Sequence, residues 1–336
     1  MAKKTYHCQF FLTLTPDLKK YIRGKLRGHK LTMSDQILSL DKLDKKTEVL
    51  GVFVDSKIDK KVFAALPKLK LVLTLSTGFD HIDMREAKRR GVVVCNVPTY
   101  GSNTVAEFAI ALTLAVNRKL YHCFKRVKEG QYDYHGLRGS DLQGKTIGVL
   151  GTGKIGAKFI QMVRGFETEI LAFDAFPNKQ LAENFGFRYV PLSMLLKKSD
   201  ILSLHLPLLD STKHIINKKA IKKMKPGVII INTARGGLID SEALVWGLKQ
   251  NIIGGAGLDV LEGEDLLEDT LKLLNVDCSS DETRLSLMNN MLIDHPNTIV
   301  SPHNAFNTHE AVRRIIDTSI DNFKAFHLGN IQNEVK

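Results

Sequence analysis

The chain has 336 residues, of which 48 are Lys or Arg and 36 are Asp or Glu, for a formal net charge of +12. That length exceeds one ordinary core and suits two domains, with 43% apolar residues available for burial. The basic residues are scattered in short groups such as Lys3-Lys4, Lys45-Lys46, Lys60-Lys61 and Lys222-Lys223, with no dense block interleaved with aromatics, which argues against a nucleic-acid partner. No apolar run of about eighteen residues occurs, and the basic amino terminus lacks the apolar core of a secretion signal, so neither a membrane span nor export is expected. Cys8, Cys95, Cys123 and Cys278 form no Cys-x-x-Cys pair and have no histidine at metal-ligand spacing; they read as reduced thiols of a cytoplasmic protein without a metal site.

Short apolar runs recur along the chain with longer amphipathic stretches between them, the pattern of strands alternating with helices in a parallel sheet. The first series is CQFFLTL, TEVLGVFVD, LKLVLTLS and VVVCNVP. A long apolar helix is predicted next over 102–127, opened by the cap-like Asn103-Thr104. A second series follows: TIGVLG, EILAFD, DILSLHLP, GVIIINTA, GGAGLDV and TIVSP. Several of these strands are apolar throughout, as befits burial on both faces. A last helix is predicted over 308–326. The chain is thus expected to leave its first domain near residue 102 and to return near 302, giving one domain of 1–102 with 302–336, a second of 103–301, and a cleft between them.

The stretch TIGVLGTGKIGAKFIQMVRGFETEILAFD carries the most specific signal. A strand runs into Gly151-Thr-Gly153-Lys154-Ile155-Gly156, a helix opens there, and the next strand ends on Asp174, eighteen residues after the third glycine. The glycines permit a tight turn and close approach of backbone N–H groups to a pyrophosphate lying on the positive end of the helix. Asp174 is placed to accept from ribose hydroxyls, and its charge disfavours a 2′-phosphate, which favours NAD over NADP, a preference that Lys154 beside the turn softens slightly.

Four further stretches, LSTGFDHID (75–83), NVPTYGSNTVAEFAIAL (96–112), NTARGGLIDSEAL (232–244) and GAGLDVLEGE (255–264), followed by SPHNAF (301–306), resemble in order the signature segments of the D-isomer-specific 2-hydroxyacid dehydrogenases. Within that family the chain most resembles the D-lactate dehydrogenases, through Tyr100, the long stretch after Glu264 and the AFNTHEAV run. The resemblance implies an α/β fold of two doubly wound parallel-sheet domains, flavodoxin-like for the substrate and Rossmann for NAD. It also implies hydride transfer between NAD and a 2-oxo or 2-hydroxy acid.

By the same resemblance, Arg235 binds the carboxylate and carbonyl of the 2-oxo acid, a task suited to a planar guanidinium that stays charged. Glu264 and His303 form an acid–base pair in which His303 protonates the nascent alkoxide. Taken singly, each of these residues reads as an incidental ion pair, a structural histidine or a solvated acid; their joint placement just beyond strand carboxyl ends favours catalysis. Backbone N–H groups of Ser76, Thr77 and Gly78 are implied to hold the substrate carboxylate, with Tyr100 either beside it or simply buried. Asp259 is implied near the nicotinamide carboxamide, with Leu206, Pro207, Thr233 and Ala234 lining the cofactor groove and Val105 backing the ring. His81 reads as a turn residue and His205 as a core histidine.

Phe53, Phe79, Tyr100 and Phe306 are bulky residues in segments expected to face the substrate, which favours the methyl of pyruvate. Glyoxylate, hydroxypyruvate and branched 2-oxo acids stay open, since a methylene or two shifts discrimination by only about 1–3 kcal/mol. The segment 264–297 carries leucines spaced for one or two helices, compatible with a lid. An NAD-sensing, corepressor-like regulator is the alternative from another class. The apolar character of helix 102–127, together with the resemblance, predicts a homodimer.

Overall fold

A computed structural model describes residues 4–264, 267 and 280–335. The described chain divides into two compact units, one running to Tyr100 and resuming at Thr308, the other spanning Gly101–Asn307.

The smaller unit holds strands β1 (His7–Phe11), β2 (Lys30–Ser34), β3 (Val49–Val52), β4 (Leu71–Thr74) and β5 (Val93–Cys95). They form an all-parallel sheet in the order β2-β1-β3-β4-β5, a doubly wound order of the flavodoxin type. β3 and β4 are buried along their whole length, and Leu50, Val52, Val72 and Phe63 lie in one apolar cluster between sheet and helices. β2 is absent from the sequence expectation. It is an edge strand, KLTMS, with no fully buried residue, so it lacks the apolar run that marks its neighbours. The final helix, His309–His327, is capped by Thr308, whose hydroxyl accepts from the Ala311 N–H.

The larger unit carries β6 (Thr146–Leu150), β7 (Glu169–Phe173), β8 (Arg188–Tyr189), β9 (Ile201–Leu204), β10 (Val228–Asn232), β11 (Ile253–Leu258) and β12 (Thr298–Val300). All pairings are parallel, in the order β12-β11-β10-β9-β6-β7-β8. This is the Rossmann order with one strand added, and the winding reverses between β6 and β9. The two-residue edge strand β8 again escaped the apolar pattern.

The predicted helix 102–127 is two helices, Ser102–Asn117 and Leu120–Lys128, separated where Lys119 takes a left-handed φ of 52°. Asn103 and Thr104 lie inside the first helix rather than at its cap. Gly101 holds the cap position and, having no side chain, makes no side-chain cap bond. The expected return near 302 falls after Asn307, since the 301–305 loop is bound to Asp259 of the larger unit. The predicted lid segment lies partly outside the described residues; its described part includes a helix, Ser280–Asp294.

Among the described residues no helix is long and apolar enough to cross a membrane, and no cluster of His, Cys, Asp or Glu forms a metal site. Cys8 and Cys95 are buried free thiols, both pushed up to about 12 by burial, which leaves them unreactive; Cys278 lies outside the described residues.

Candidate active site

The glycine turn follows β6 directly. Gly151 has φ +99°, and a Cβ there would fall 2.8 Å from the His205 carbonyl oxygen. A Cβ on Gly156 would fall 2.0 Å from the Gly151 carbonyl oxygen, so only glycine lets the helix Lys154–Val163 start so close to the strand. Gly153, by contrast, faces open space. Lys154 and Ile155 begin the helix with their N–H groups in its first turn. The cradle therefore offers backbone donors beside a surface stripped of side chains.

Asp174 stands one residue beyond β7. Its Oδ2 accepts from the Thr152 N–H (2.7 Å) and hydroxyl (3.0 Å), and its Oδ1 from the Phe176 N–H (2.9 Å). Of about four acceptor positions on a carboxylate, three are used and one is left for a ribose hydroxyl. The Tyr189 hydroxyl meets Thr152 Oγ1 at 2.7 Å and accepts from the Asn178 N–H, which orients the whole group. Thr152 lies inside the glycine fingerprint, where its role is open to the sequence, whereas Tyr189 carries no local signal.

At the end of β9, His205 sits against Phe159, with its Nε2 2.9 Å from Ser203 Oγ and its Nδ1 buried. Burial pushes its pKa down to about 3, so the ring is neutral. Leu206 and Pro207 follow it toward the surface, and Val105 is buried on the first turn of the helix Ser102–Asn117. Thr233 is buried after β10, with its hydroxyl lacking a partner among the described residues. A buried hydroxyl without a partner is costly unless a ligand supplies one. The glycine cradle, the remaining acceptor on Asp174 and this hydroxyl together fit a dinucleotide.

Arg235, Glu264 and His303 leave three neighbouring parallel strands on the same edge of the sheet. Asn232 of β10 is level with Leu258 of β11, and Leu258 with Val300 of β12. Each of the three thus lies three to six positions past a common line, on the same edge of the sheet. Arg235 has an extended backbone; its carbonyl accepts from Asn232 Nδ2 at 2.9 Å and its guanidinium donates to the Ala234 carbonyl at 2.7 Å. The Ala234 N–H in turn donates to Asn232 Oδ1, so buried Asn232 fixes both sides of the arginine.

His303 Nδ1 is 2.7 Å from Glu264 Oε1, with both side chains partly exposed, and Glu264 Oε2 accepts from the Leu261 N–H at 3.1 Å. His303 takes a left-handed φ of 47°, held by its N–H to the Asp259 carbonyl at 2.9 Å. Asp259 is 1% exposed and accepts from Ser301 Oγ (2.6 Å), the Asn304 N–H (2.8 Å) and the Ala305 N–H (2.8 Å). Burial raises its pKa, and the Ser301, Ala305 and Asn304 bonds oppose that rise. Its carboxylate thus anchors the histidine loop, a task the sequence did not disclose.

In the smaller unit, Ser76 follows β4. Its hydroxyl donates to the Gly78 carbonyl at 2.6 Å and meets Thr74 Oγ1 at 2.7 Å, while Thr77 Oγ1 donates to the Val97 carbonyl at 2.8 Å. The hydroxyls are spent inside the loop. Among the described residues the N–H groups of Ser76, Thr77 and Gly78 donate to no backbone or side-chain acceptor, a row of donors suited to an anion. His81 Nε2 lies 3.2 Å from Thr74 Oγ1 and supports this loop from behind. Tyr100 is half-buried, its carbonyl accepting from Arg314 Nε at 2.8 Å.

Residues 110–305 match the family model for the D-isomer specific 2-hydroxyacid dehydrogenase, NAD binding domain. The chain is 41% identical to the D-lactate dehydrogenase kk1H of Curvularia clavata over 82% of its own length and 77% of the relative's. It is 36% identical to the glyoxylate reductase of Korarchaeum cryptofilum, over 85% and 82%. A crystal structure of D-lactate dehydrogenase from Aquifex aeolicus, complexed with NAD and lactic acid, superposes with a TM-score of 0.85 at 32% identity, covering 96% of each chain. The chain belongs to the D-isomer-specific 2-hydroxyacid dehydrogenases. It is an NAD-dependent oxidoreductase of D-2-hydroxy acids.

Proposed function

We propose that the protein reduces pyruvate to D-lactate, with Arg235 holding the 2-oxo acid and His303, oriented by Glu264, delivering the proton. The observation that carries this is the 2.7 Å His303–Glu264 pair on the strand edge that also presents Arg235. NAD, when bound, supplies or accepts the hydride. The residues that would hold it are Gly151, Gly153, Lys154, Ile155 and Gly156 at the pyrophosphate, Asp174 at the ribose, and Leu206, Pro207, Thr233, Ala234, Asp259 and Val105 along the nicotinamide half. The N–H groups of Ser76, Thr77 and Gly78 receive the substrate carboxylate, with Tyr100 alongside. Arg235 polarises the C2 carbonyl and fixes its orientation; as charge develops on that oxygen, His303 transfers its proton and Glu264 keeps the ring aligned. In the reverse direction the same ring takes the proton from the C2 hydroxyl.

The D-lactate dehydrogenases among the relatives support pyruvate, as does the bulk of Phe53, Phe79, Tyr100 and Phe306 in segments expected to face the substrate. The reaction runs in a reducing compartment, a reading supported by the free thiols. The test is NADH oxidation at 340 nm with pyruvate, glyoxylate, hydroxypyruvate and branched 2-oxo acids, followed by the reverse reaction with D- and L-lactate. Highest kcat/KM on pyruvate, with oxidation of D-lactate alone, supports the assignment. A bulkier or hydroxylated acid in first place overturns the substrate while leaving the family intact.

A further inference from the structure

One pair of titratable side chains near these loops has no part in the chemistry just described. His214 Nε2 lies 2.6 Å from Glu262 Oε1, with both side chains partly exposed. His214 holds a left-handed φ of 52°, a conformation that costs a non-glycine residue about 1 kcal/mol or more and persists only where its surroundings impose it.

Those surroundings are the two catalytic loops. The His214 N–H donates to the Gly237 carbonyl at 2.9 Å, the Ile216 N–H to the Leu238 carbonyl at 3.1 Å, and the Asp240 N–H to the Ile216 carbonyl at 3.1 Å. The 214–216 segment is therefore zipped to the chain immediately after Arg235. Glu262 lies on the other loop, two residues before Glu264. Its carbonyl accepts from Asn289 Nδ2 at 2.9 Å, so it is held by its backbone on one side and by His214 on the other. Between them the two loops touch directly: a Cβ on Gly236 would fall 2.0 Å from the Leu261 carbonyl carbon and 2.3 Å from the Glu262 nitrogen. Leu261 is also the residue whose N–H anchors the Glu264 carboxylate.

We infer that His214 and Glu262 are positioning residues of the reaction: they clasp the arginine loop to the glutamate loop and so set where Arg235 stands relative to the Glu264–His303 pair. The inference rests on the assignment of Arg235, Glu264 and His303 to catalysis. The contact at Gly236 is steric. The short His214–Glu262 bond adds a directional link across it, and a displacement near 1 Å at a reacting centre is enough to cost roughly 10²-fold in rate.

The experiment compares His214→Gly, His214→Gln, Glu262→Ala and the double variant His214→Gly/Glu262→Ala, with His303→Ala as reference. Each is measured for kcat and KM toward the best 2-oxo acid, for NADH Kd by fluorescence and for Tm. Glycine relieves the left-handed backbone, so its effect isolates the lost side chain. Expected for His214→Gly and for Glu262→Ala is a fall in kcat of roughly 10- to 100-fold with NADH Kd within about twofold of the parent. His214→Gln, which keeps an N–H donor for Glu262, recovers most of the loss, and the double variant is no worse than the poorer single. If His214→Gly does not fold, Glu262→Ala carries the test. Parental kcat in the single variants, with His303→Ala inactive, overturns the clasp alone. Loss of NADH binding in step with kcat also overturns it, by showing a fold-wide role. Full activity in His303→Ala removes the catalytic assignment and the clasp with it.

Discussion

His303 Nδ1 and Glu264 Oε1 stand 2.7 Å apart although 39 residues separate them, and each is tied at a second point: His303 by its N–H to Asp259, Glu264 by Oε2 to Leu261. The ring is thus held at one nitrogen, and the other is aimed away from the carboxylate. Replacing Glu264 with Gln removes the charge but keeps the shape. The expected outcome is a kcat lower by about 10²-fold or more with NADH affinity unchanged, while His303→Ala loses roughly 10²- to 10⁴-fold. Steady-state kinetics beside NADH titration would reveal the error if either variant kept parental kcat.

Arg235→Lys should fail almost as badly as Arg235→Ala. Asn232 fixes the Arg235 backbone on both sides, so a lysine there starts from the same point but brings one ammonium where a planar fork is needed. The measurement is kcat/KM for the 2-oxo acid; a lysine variant within a few-fold of the parent would rule out two-point binding.

The two glycines of the cofactor turn separate fold from binding. Gly156→Ala would force a Cβ to 2.0 Å from the Gly151 carbonyl oxygen and should lower Tm and abolish NADH binding together. Gly153→Ala meets no atom within 4 Å, so Tm should hold while NADH affinity drops, because the new methyl occupies the face the pyrophosphate approaches. An unchanged NADH Kd in Gly153→Ala would move the pyrophosphate elsewhere.

His205 makes stability depend on acid. Burial lowers its pKa from 6.5 to about 3, so between those values the unfolded chain binds a proton that the folded chain refuses. The contribution is present above pH 6.5 and is lost as pH falls toward 3, amounting to about 2 kcal/mol between pH 8 and pH 5. Urea unfolding at both pH values should show His205→Gln with a pH 8 to pH 5 difference smaller by about that amount; an equal difference in parent and variant would place the acid sensitivity in another group.

Self-association is the fifth expectation. The helix Leu120–Lys128 exposes Tyr121, Phe124 and Val127, and Tyr132 and Tyr134 follow it almost fully in solvent. Apolar surface of this kind favours a two-fold contact with a second copy. Sedimentation at micromolar concentration should give a dimer, and Phe124→Glu should give a monomer. A monomeric parent would dismiss the contact. The predicted apolar stretch 102–127 is two helices, of which Ser102–Asn117 buries Val105, Ala106, Ala109 and Leu112 while Leu120–Lys128 has no buried residue.

What the sequence determined by itself was everything whose cause is local. The glycine turn was legible because strand, turn, helix and acid follow one another within one βαβ unit, and the central strands because burial on both faces writes a continuous apolar run. The edge strands β2 and β8 were not, since an exposed edge imposes no such run. Arg235, Glu264 and His303 were legible as residue types just past strand ends. That they leave the same edge of the sheet was decided by the tertiary order, which sets β10, β11 and β12 side by side with Asn232, Leu258 and Val300 level. The Asp259 anchor, the Tyr189–Thr152–Asp174 chain and the His214–Glu262 clasp belong wholly to that second category. A hydrogen bond between side chains 37 or 48 residues apart leaves no periodicity in the sequence. It exists only once the parallel strands have brought their carboxyl ends together.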